Sequence, residues 1–313
     1  MDIAIIGAGM AGLSCADSLT LAGHRVSLFD KGRGPGGRMS ARRMDIDGAT
    51  VTFDHGAQYF TARDPAFVAQ IEKWESEGIV ARWPATDEDA WVGHPAMNVP
   101  IRHMAEQLDV TFGAKVEALE VDHDGWILSV DGELTERKFD AVIVAVPAEQ
   151  ATELLAPQHS VFASTARNTP SDPCWTLMLA FDQALVGVPD TIRPDGPIGW
   201  AARNSAKPGR GGKECWVIQA GPDWSAAYIE NDAAVVEATL TRAVADLIDS
   251  PLPEPIMSQA HRWRYSRSGS AGESCLWDET SRLGVCGDWL IAPRVEAAFL
   301  SGRALADAIG AAE

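Results

Sequence analysis

The stretch Ile3–Gly12, which reads IAIIGAGMAG, decides the fold of this chain. Its four leading apolar residues are typical of a short strand buried on both faces, and the glycines that follow are spaced G-x-G-x-x-G. Apolar residues then recur at helical spacing: Met10, Leu13, Ala16 and Leu19. Gly23 is a typical residue just beyond a helix end, and a second strand over Val26–Phe29 ends at Asp30. The pattern predicts a β-α-β unit that binds a dinucleotide.

The three glycines of this motif have different expected roles. Gly7 permits a tight turn, Gly9 lets the backbone approach a pyrophosphate, and Gly12 lets the helix pack closely on the strand. Free N–H groups and the helix dipole at the start of the helix favour the phosphates. Asp30 is expected to accept a hydrogen bond from a ribose 2′-hydroxyl, which selects against a 2′-phosphate.

A second glycine-rich segment follows the second strand. Residues 31–40 read KGRGPGGRMS, and such a loop of small residues can wrap a longer, bent dinucleotide while Arg38 neutralises pyrophosphate charge. Together the two segments resemble the FAD-binding half of the flavin amine oxidases. That resemblance implies a bound FAD, and the scattered cysteines give no support for a covalent link to it.

The resemblance extends over nearly the whole chain. Five further segments, in order, are similar to those of the renalase-like FAD-dependent oxidoreductases, particularly the bacterial members: Asp54–Asp64, Trp91–Gly93, His261–Tyr265, Cys286–Trp289 and Arg294–Gly302. The resemblance implies these cofactor-binding residues: Gly7, Gly9, Met10, Ala11, Gly12, Asp30, Lys31, Gly36, Gly37, Arg38, Met39, Gly56, Ala57, Gln58, Val116, Gly287, Asp288, Arg294, Val295, Glu296 and Ala297.

The carboxy-terminal part of this set has its own physical logic. Gly287 lets the chain pass close to a cofactor, and Asp288 can accept hydrogen bonds from ribitol hydroxyls. A helix that begins near Pro293 would present its first free N–H groups, those of residues 295–297. In related flavoproteins such a helix start faces the pyrimidine edge of the isoalloxazine ring. Glu296 is therefore expected to act through its backbone and not through its carboxylate.

Aromatic residues and one amide are the candidates for the substrate pocket. They are Gln58, Tyr59, His261, Trp263, Tyr265 and Trp289. Flat rings can stack on a nicotinamide, and Gln58 can hydrogen-bond a carboxamide. Arg262, Arg264 and Arg267 could attract substrate phosphates, and strand alternation places Arg262 and Arg264 on one face, opposite Trp263.

The family resemblance implies an oxidase that transfers hydride from 2- or 6-dihydro-NAD(P) to the flavin and then to O2, giving NAD(P)+ and H2O2. The alternative is an FAD-dependent oxidase of a small amine. A disulfide reductase would need a second dinucleotide fingerprint and a dithiol pair, and the sequence contains neither. A non-catalytic flavin-binding protein also remains open.

Composition and charge indicate which partners, location and structural sites to expect. The formal net charge of −18 disfavours nucleic acid as a partner, and no apolar run reaches the roughly 18–20 residues of a membrane span. No basic leader precedes the first strand, so a cytoplasmic location is expected. Five scattered cysteines and dispersed histidines predict no disulfide framework and no metal site. The oligomeric state is left open.

The expected fold class is α/β, with two domains. A discontinuous Rossmann-like FAD domain takes residues 1–60, 98–150 and 270–313, and a smaller α+β substrate domain with a mixed or antiparallel sheet takes 61–97 and 151–269. The strands predicted for the middle and end of the chain are 110–121, 126–130, 139–146, 176–181, 215–220 and 283–286. Helices are predicted after Asn98, over residues 235–247, and from Pro293 to about Ile309.

Overall fold

The larger of the two main sheets has six strands. The computed structural model describes residues 1–86, 88–194, 196–248 and 251–312, and its strands and helices are numbered in chain order. The sheet contains, in spatial order, β17 (Leu276–Asp278), β18 (Leu283–Val285), β11 (Ala141–Val144), β1 (Asp2–Ile6), β2 (Arg25–Asp30) and β7 (Val110–Phe112). All neighbouring pairs are parallel except β17 with β18. The α/β, Rossmann-like prediction is confirmed.

Strand β1 lies at the centre of this sheet because both of its faces are apolar. Ile3 and Ile5 pack into the cluster that holds α1 (Met10–Leu21) and α9 (Val295–Ala312). Ala4 and Ile6 pack into a second cluster on the opposite face. That face is covered by α4 (Ala148–Leu155), α5 (Ser160–Arg167) and a three-stranded sheet of β8 (Val116–Asp122), β9 (Gly125–Val130) and β10 (Glu133–Leu134).

The second large sheet is antiparallel throughout. Its spatial order is β13 (Thr191–Ile192), β14 (Ile198–Arg203), β15 (Glu214–Ala220), β12 (Asp172–Phe181) and β16 (Met257–Arg267). Residues alternate along β12: Leu177 and Leu179 pack with α7 (Ala233–Leu247), whereas Met178 and Ala180 pack towards the hairpin of β3 (Arg42–Ile46) and β4 (Ala49–Phe53). This sheet corresponds to the predicted antiparallel sheet.

The remaining elements are short. They are α2 (Pro65–Ser76), β5 (Val80–Arg82), β6 (Trp91–Gly93), α3 (Val99–Ala105), α6 (Pro222–Ala227), α8 (Asp288–Ile291) and the 3-10 helices Gly37–Met39 and Asn204–Ala206. None of the described helices is long and apolar enough to cross a bilayer.

Several predicted boundaries were wrong, and β12, for example, begins at Asp172 and not at residue 176. The run 110–121 is broken at Gly113, whose φ of +74° ends β7, and its two halves join different sheets. The run 139–146 is a strand only over Ala141–Val144, because Phe139 makes a single bridge to Trp126. The last helix begins at Val295 and not at Pro293, and α8 before it was not predicted.

Residues 61–97 pack on the parallel sheet. Phe67, Ile71 and Trp74 of α2 share one hydrophobic cluster with Ile3 and Ile5 of β1. The division into two domains, with this segment in the second, stays a prediction.

Candidate active site

A cavity of about 600 Å³ opens between the two large sheets. Residues from the first β-α turn, the start of α9, strands β14 and β16 and the segment after β4 line it together. Fifteen residues predicted from the sequence are among those that line it: Gly9, Met10, Ala11, Gly36, Arg38, Met39, Gly56, Ala57, Gln58, Tyr59, Trp263, Gly287, Asp288, Arg294 and Val295.

Eleven predicted residues lie outside the lining. They are Gly7, Gly12, Asp30, Lys31, Gly37, Val116, His261, Tyr265, Trp289, Glu296 and Ala297. Several of these support residues that do line the cavity. Lys31 is exposed, and Val116 is buried in the cluster behind the sheet.

The first β-α turn is shaped by glycines that leave no room for a side chain. A Cβ at Gly12 would lie 2.0 Å from the carbonyl oxygen of Gly7, and one at Gly7 would lie 2.5 Å from that of Ala145. At Gly9 the situation is the reverse, because an added Cβ would meet no heavy atom within 4 Å. The backbone of Gly9 therefore borders open space inside the cavity.

Asp30 fixes the two glycine-rich segments to each other. One carboxylate oxygen accepts a hydrogen bond from the Ala8 N–H (2.8 Å) and the other from the Gly32 N–H (2.7 Å). Each oxygen keeps acceptor capacity, because a carboxylate offers about four lone-pair sites. A ribose hydroxyl therefore finds an acceptor here.

Arg38 and Asp288 form an ion pair at the cavity wall. The guanidinium donates to both carboxylate oxygens, at 2.9 and 2.6 Å, and the Ser268 hydroxyl donates a third hydrogen bond at 2.9 Å. The pair joins the 3-10 helix before β3 to the start of α8, so the amino-terminal and carboxy-terminal parts of the site hold each other in place.

The expectation that Glu296 acts through its backbone and not through its carboxylate is wrong, because the carboxylate makes hydrogen bonds of its own. Its buried carboxylate accepts hydrogen bonds from the N–H groups of Arg63 (2.5 Å) and Asp64 (2.7 Å). Asp64 is the N-cap of α2. The side chain therefore ties the first turn of α9 to the start of α2.

A buried ion cluster lies behind Gln58. Asp54 pairs with Lys207 (3.2 Å) and Arg210 (2.8 Å), and all three side chains are at most 1% exposed. Burial alone would raise the pKa of Asp54, but the two cations hold it below its ordinary value. At Lys207 the effect of burial is larger than the attraction of Asp54, so the pKa of the Lys207 ammonium group is lowered to about 8. No local pattern predicts this cluster, because Asp54 lies about 150 residues before Lys207 and Arg210 in the sequence.

The Gln58 amide belongs to the same network. Its nitrogen donates to the carbonyls of Asp54 (2.5 Å) and Gly56 (3.0 Å), and its oxygen accepts from Lys207 (3.2 Å). One acceptor lone pair is left for a ligand. A second amide, Gln219, also lines the cavity and donates to the Gly56 carbonyl at 2.8 Å.

Trp263 lines the cavity, and two histidines pack against its ring. Its indole N–H donates to the His55 carbonyl (2.8 Å), and the ring centroids of His55 and His261 lie 5.1 and 4.8 Å from that of Trp263. Burial first, then His261 and Arg42, lower the pKa of His55 to about 3. Burial and Arg42 lower that of His261 to about 4. Both imidazoles are therefore neutral near pH 7.

Trp289 and Tyr265 are not where a substrate-stacking role would place them. Trp289 is fully buried in the cluster behind the sheet, and its indole N–H donates to the Val146 carbonyl at 3.2 Å. Tyr265 is half-buried and does not line the cavity. As alternation predicts, Arg262 and Arg264 share one face, where both pair with Glu230, whereas Arg267 lines the cavity.

Sequence reasoning missed the wall that β14 and the preceding loop contribute. Trp200 lines the cavity with its ring centroid 5.7 Å from that of Tyr59. Arg193 lies 4.9 Å above the Trp200 ring and donates to the Tyr59 hydroxyl at 3.0 Å. The alternating run Ile198–Arg203 was a usable signal for this strand, but it lies among prolines and glycines that favoured a loop.

These residues fit a flavin adenine dinucleotide. The turn at Gly9 is open to an approaching phosphate, and Asp30 has spare acceptors for a ribose. The first residues of α1 and α9, Met10 and Val295, both line the cavity, so free N–H groups of two helices lie at its wall. Its volume also lies within the usual range for small-molecule and cofactor sites.

The described side chains form no comparable site for a metal ion or for a reactive thiol. Among the described residues, no three histidine, cysteine, aspartate or glutamate side chains are placed to hold a metal ion. All five cysteines are free, and four of them are buried.

Comparison with known solved structures shows the same fold over the whole chain. A putative protoporphyrinogen oxidase from Exiguobacterium sp. 255-15 superposes with a TM-score of 0.80 at 11% identity, with 99% of each chain covered. A putrescine oxidase bound to putrescine gives 0.76 at 15% identity, again with 99% of each chain covered. Cyclohexylamine oxidase from Brevibacterium oxydans IH-35A gives 0.72 at 11% identity, with 99% of this chain and 98% of that chain covered.

Curated relatives match over shorter stretches. Hydroxyneurosporene desaturase from Rubrivivax gelatinosus is 37% identical over 118 residues, which are 34% of this chain and 21% of the relative. A bifunctional protein of tRNA 5-methylaminomethyl-2-thiouridine biosynthesis from Albidiferax ferrireducens is 29% identical over 152 residues, 43% of this chain and 25% of the relative. The aligned part thus spans a quarter or less of the length of these two relatives.

Family profiles account for most of the chain. Residues 5–71 match the NAD(P)-binding Rossmann-like domain, and residues 80–310 match the flavin-containing amine oxidoreductases. The second match takes in β14, β16 and α9, which line the cavity. The chain therefore belongs to the flavin-containing amine oxidoreductase family and binds FAD non-covalently.

Proposed function

We propose that this flavoprotein oxidises isomeric dihydronicotinamide nucleotides, 2- or 6-dihydro-NAD(P), to NAD(P)+. In the balanced reaction the substrate loses one hydride, and O2 gains that hydride and one proton from solvent to give H2O2. The bound flavin supplies the hydride acceptor and the reaction with O2. The chain's own residues bind the substrate and hold its ring in position.

The charge of the cavity carries this proposal. The lining residues include five arginines: Arg38, Arg63, Arg193, Arg267 and Arg294. Among the described residues that line the cavity, the only carboxylate is Asp288, which pairs with Arg38. In a protein of net charge −18, this concentration of positive charge favours a phosphate-bearing substrate and opposes a protonated amine.

Aromatic side chains supply the other half of the argument. Tyr59, Trp200 and Trp263 line the same cavity, and flat rings can stack on a dihydropyridine ring. Gln219 and the remaining acceptor of Gln58 are the amide groups available to a substrate carboxamide. The neutral His55 and His261 support Trp263 from behind.

Anaerobic mixing of the holoenzyme with candidate substrates tests the proposal. The flavin band at about 450 nm is expected to bleach rapidly with 2- or 6-dihydro-NAD(P) and not with amines. Ordinary 4-dihydro-NAD(P)H is the matched control for ring position. Readmission of O2 should restore the band and yield one H2O2 per substrate. Bleaching by amines alone would overturn the proposal.

Oxidation of a small amine is the second candidate. Tyr59 and Trp200 form an aromatic pair, with centroids 5.7 Å apart, of the kind that can surround an amine. The putrescine and cyclohexylamine oxidases that share the fold bear names of amine substrates. The arginine over Trp200 argues against a cation at that position.

A further inference from the structure

We propose that Arg193 determines substrate specificity by binding a phosphate of the substrate, beside an aromatic wall formed by Tyr59 and Trp200. This inference deepens the proposed function, because it assigns the phosphate of a dihydronicotinamide nucleotide to one side chain.

The guanidinium of Arg193 is held in place but not saturated. One of its terminal nitrogens donates to the Tyr59 hydroxyl (3.0 Å) and to the Thr86 hydroxyl (2.9 Å). Its central carbon lies 4.9 Å from the centroid of Trp200. A guanidinium has five N–H donors, so three remain for a ligand. This number suits two-point binding of a phosphate.

No carboxylate neutralises this arginine within the described part of the chain. No described carboxylate lies within 4 Å of its nitrogens, whereas Arg82, which also lies over a tryptophan, is 3.9 Å from Glu75. The indole N–H of Trp200 is buried and has no described hydrogen-bond acceptor. A charged donor and a neutral donor are thus both without an anionic partner at one wall of the cavity.

The position of Arg193 separates its ligand from the cofactor's pyrophosphate. Its described contacts are Tyr59, Thr86 and Trp200, none of which belongs to the parallel sheet or its helices. The pyrophosphate is expected at Gly9 and Arg38, neither of which is among the described contacts of Arg193. A second anion at Arg193 therefore comes from the substrate, and its ring can stack on the adjacent aromatic pair.

Two compounds that differ by one phosphate test this inference. The holoenzyme is titrated calorimetrically with oxidised nicotinamide mononucleotide and with nicotinamide riboside. Wild type is expected to bind the mononucleotide at least tenfold more tightly, because a charge-assisted hydrogen bond to phosphate is worth about that factor or more. In Arg193→Gln this preference should disappear, so that the ratio of the two affinities falls to about one. Arg193→Lys, which keeps the charge but not the two-point geometry, should be intermediate.

Turnover gives the second measurement. With the 6-dihydro forms of the same two compounds, Arg193→Gln should lower kcat/KM at least tenfold more for the mononucleotide than for the riboside. Arg82→Gln is the matched control, since it also removes an arginine over a tryptophan but lies outside the cavity lining. It should change neither value.

The outcomes separate this inference from the proposed function. If the dihydro compounds are not oxidised but wild type prefers the mononucleotide and Arg193→Gln does not, the proposed function fails and the phosphate site stands. If wild type shows no preference, or if Arg193→Gln keeps it, the inference about Arg193 is wrong whatever the turnover.

Discussion

Gly9 and Gly12 in the first β-α turn are glycines for different reasons, and substitution can tell the two reasons apart. At Gly12 a side chain would collide with the Gly7 carbonyl, so glycine there is a requirement of the fold. At Gly9 a side chain would enter empty space and φ is −83°, a value that alanine readily adopts. We therefore propose that glycine at this position is required by the ligand and not by the fold.

Gly9→Ala is expected to leave the apoprotein intact and to weaken FAD binding. The free energy of unfolding of the apoprotein should be unchanged or higher by about 0.4–1 kcal/mol, because alanine restricts the unfolded chain. FAD affinity should fall at least tenfold, since the added methyl occupies the space of a phosphate oxygen. Urea unfolding and flavin fluorescence measure the two quantities.

Gly34→Ala is the control for that variant. Its added Cβ also meets no heavy atom within 4 Å, but the residue is exposed and does not line the cavity. Its FAD affinity should stay within twofold of wild type. Wild-type affinity in Gly9→Ala would show that no phosphate lies against this turn.

Residue types alone could not distinguish a cavity wall from a core. Trp263 and Trp289 both occur in segments that resemble the family, yet one lines the cavity and the other is fully buried. Local sequence carries the same apolar signal for both, because a tryptophan packs equally well against protein or against a ligand ring. Glycine spacing was informative because it constrains the backbone itself.

At the scale of elements, β14 and the buried ion cluster were not predicted from local sequence patterns. Asp54 follows β4, Lys207 follows a 3-10 helix and Arg210 lies in the next loop. Nothing near Asp54 in the sequence indicates that two cations from another segment will neutralise it. The first strand was predictable because its burial depends only on its own residues, whereas this cluster depends on how distant elements pack.

Asp54→Asn is expected to destabilise the protein by about 3–5 kcal/mol, because it leaves the buried Arg210 guanidinium without a counter-ion and removes the carboxylate that favours the charged form of Lys207. Urea unfolding followed by circular dichroism measures the loss. The double variant Asp54→Asn/Lys207→Met removes one of those cations and should recover part of the stability. Full recovery is not expected, since Arg210 stays buried.

Asp182→Asn is the control for Asp54→Asn, because it removes the carboxylate of an exposed ion pair. Its partner Lys213 lies at the surface, 2.6 Å away, and the Asp182 side chain is 63% exposed. Removing this ion pair should cost at most about 1 kcal/mol. An equally small loss for Asp54→Asn would show that the buried cluster does not hold the segment after β4 in place.

At the scale of the whole molecule, the cofactor site joins parts of the chain that are far apart in sequence. The first turn comes from residues 7–12, the opposite wall from β14 and β16, and the closing helix from residues 295–312. The opening β-α-β unit of the parallel sheet could be predicted from the fingerprint, and its Rossmann-like character from the resemblance. The packing of α2 into the same cluster as β1 could not, because no local pattern specifies which sheet a connecting helix covers.

Removal of FAD should loosen both ends of the chain together. Hydrogen exchange is expected to accelerate in the apoprotein at residues 7–12 and 287–297, which line or support the cavity. The β9–β10 hairpin lies in a separate sheet outside the cavity lining and serves as the internal control. Free FAD at 100 times its Kd should raise the free energy of unfolding by about 2.7 kcal/mol. Acceleration in the hairpin alone would contradict this expectation.

The pairing of α1 with α9 also has a consequence during synthesis on the ribosome. Helix α1 is made before α9, and Gly302 of α9, which leaves room for the Ala11 carbonyl, is added some 290 residues later. Until then the nascent amino-terminal unit has an apolar flank uncovered, and the second helix end of the pocket does not exist. Loading of the cofactor must therefore wait until α9 has been made, and until then the uncovered apolar flank is open to aggregation.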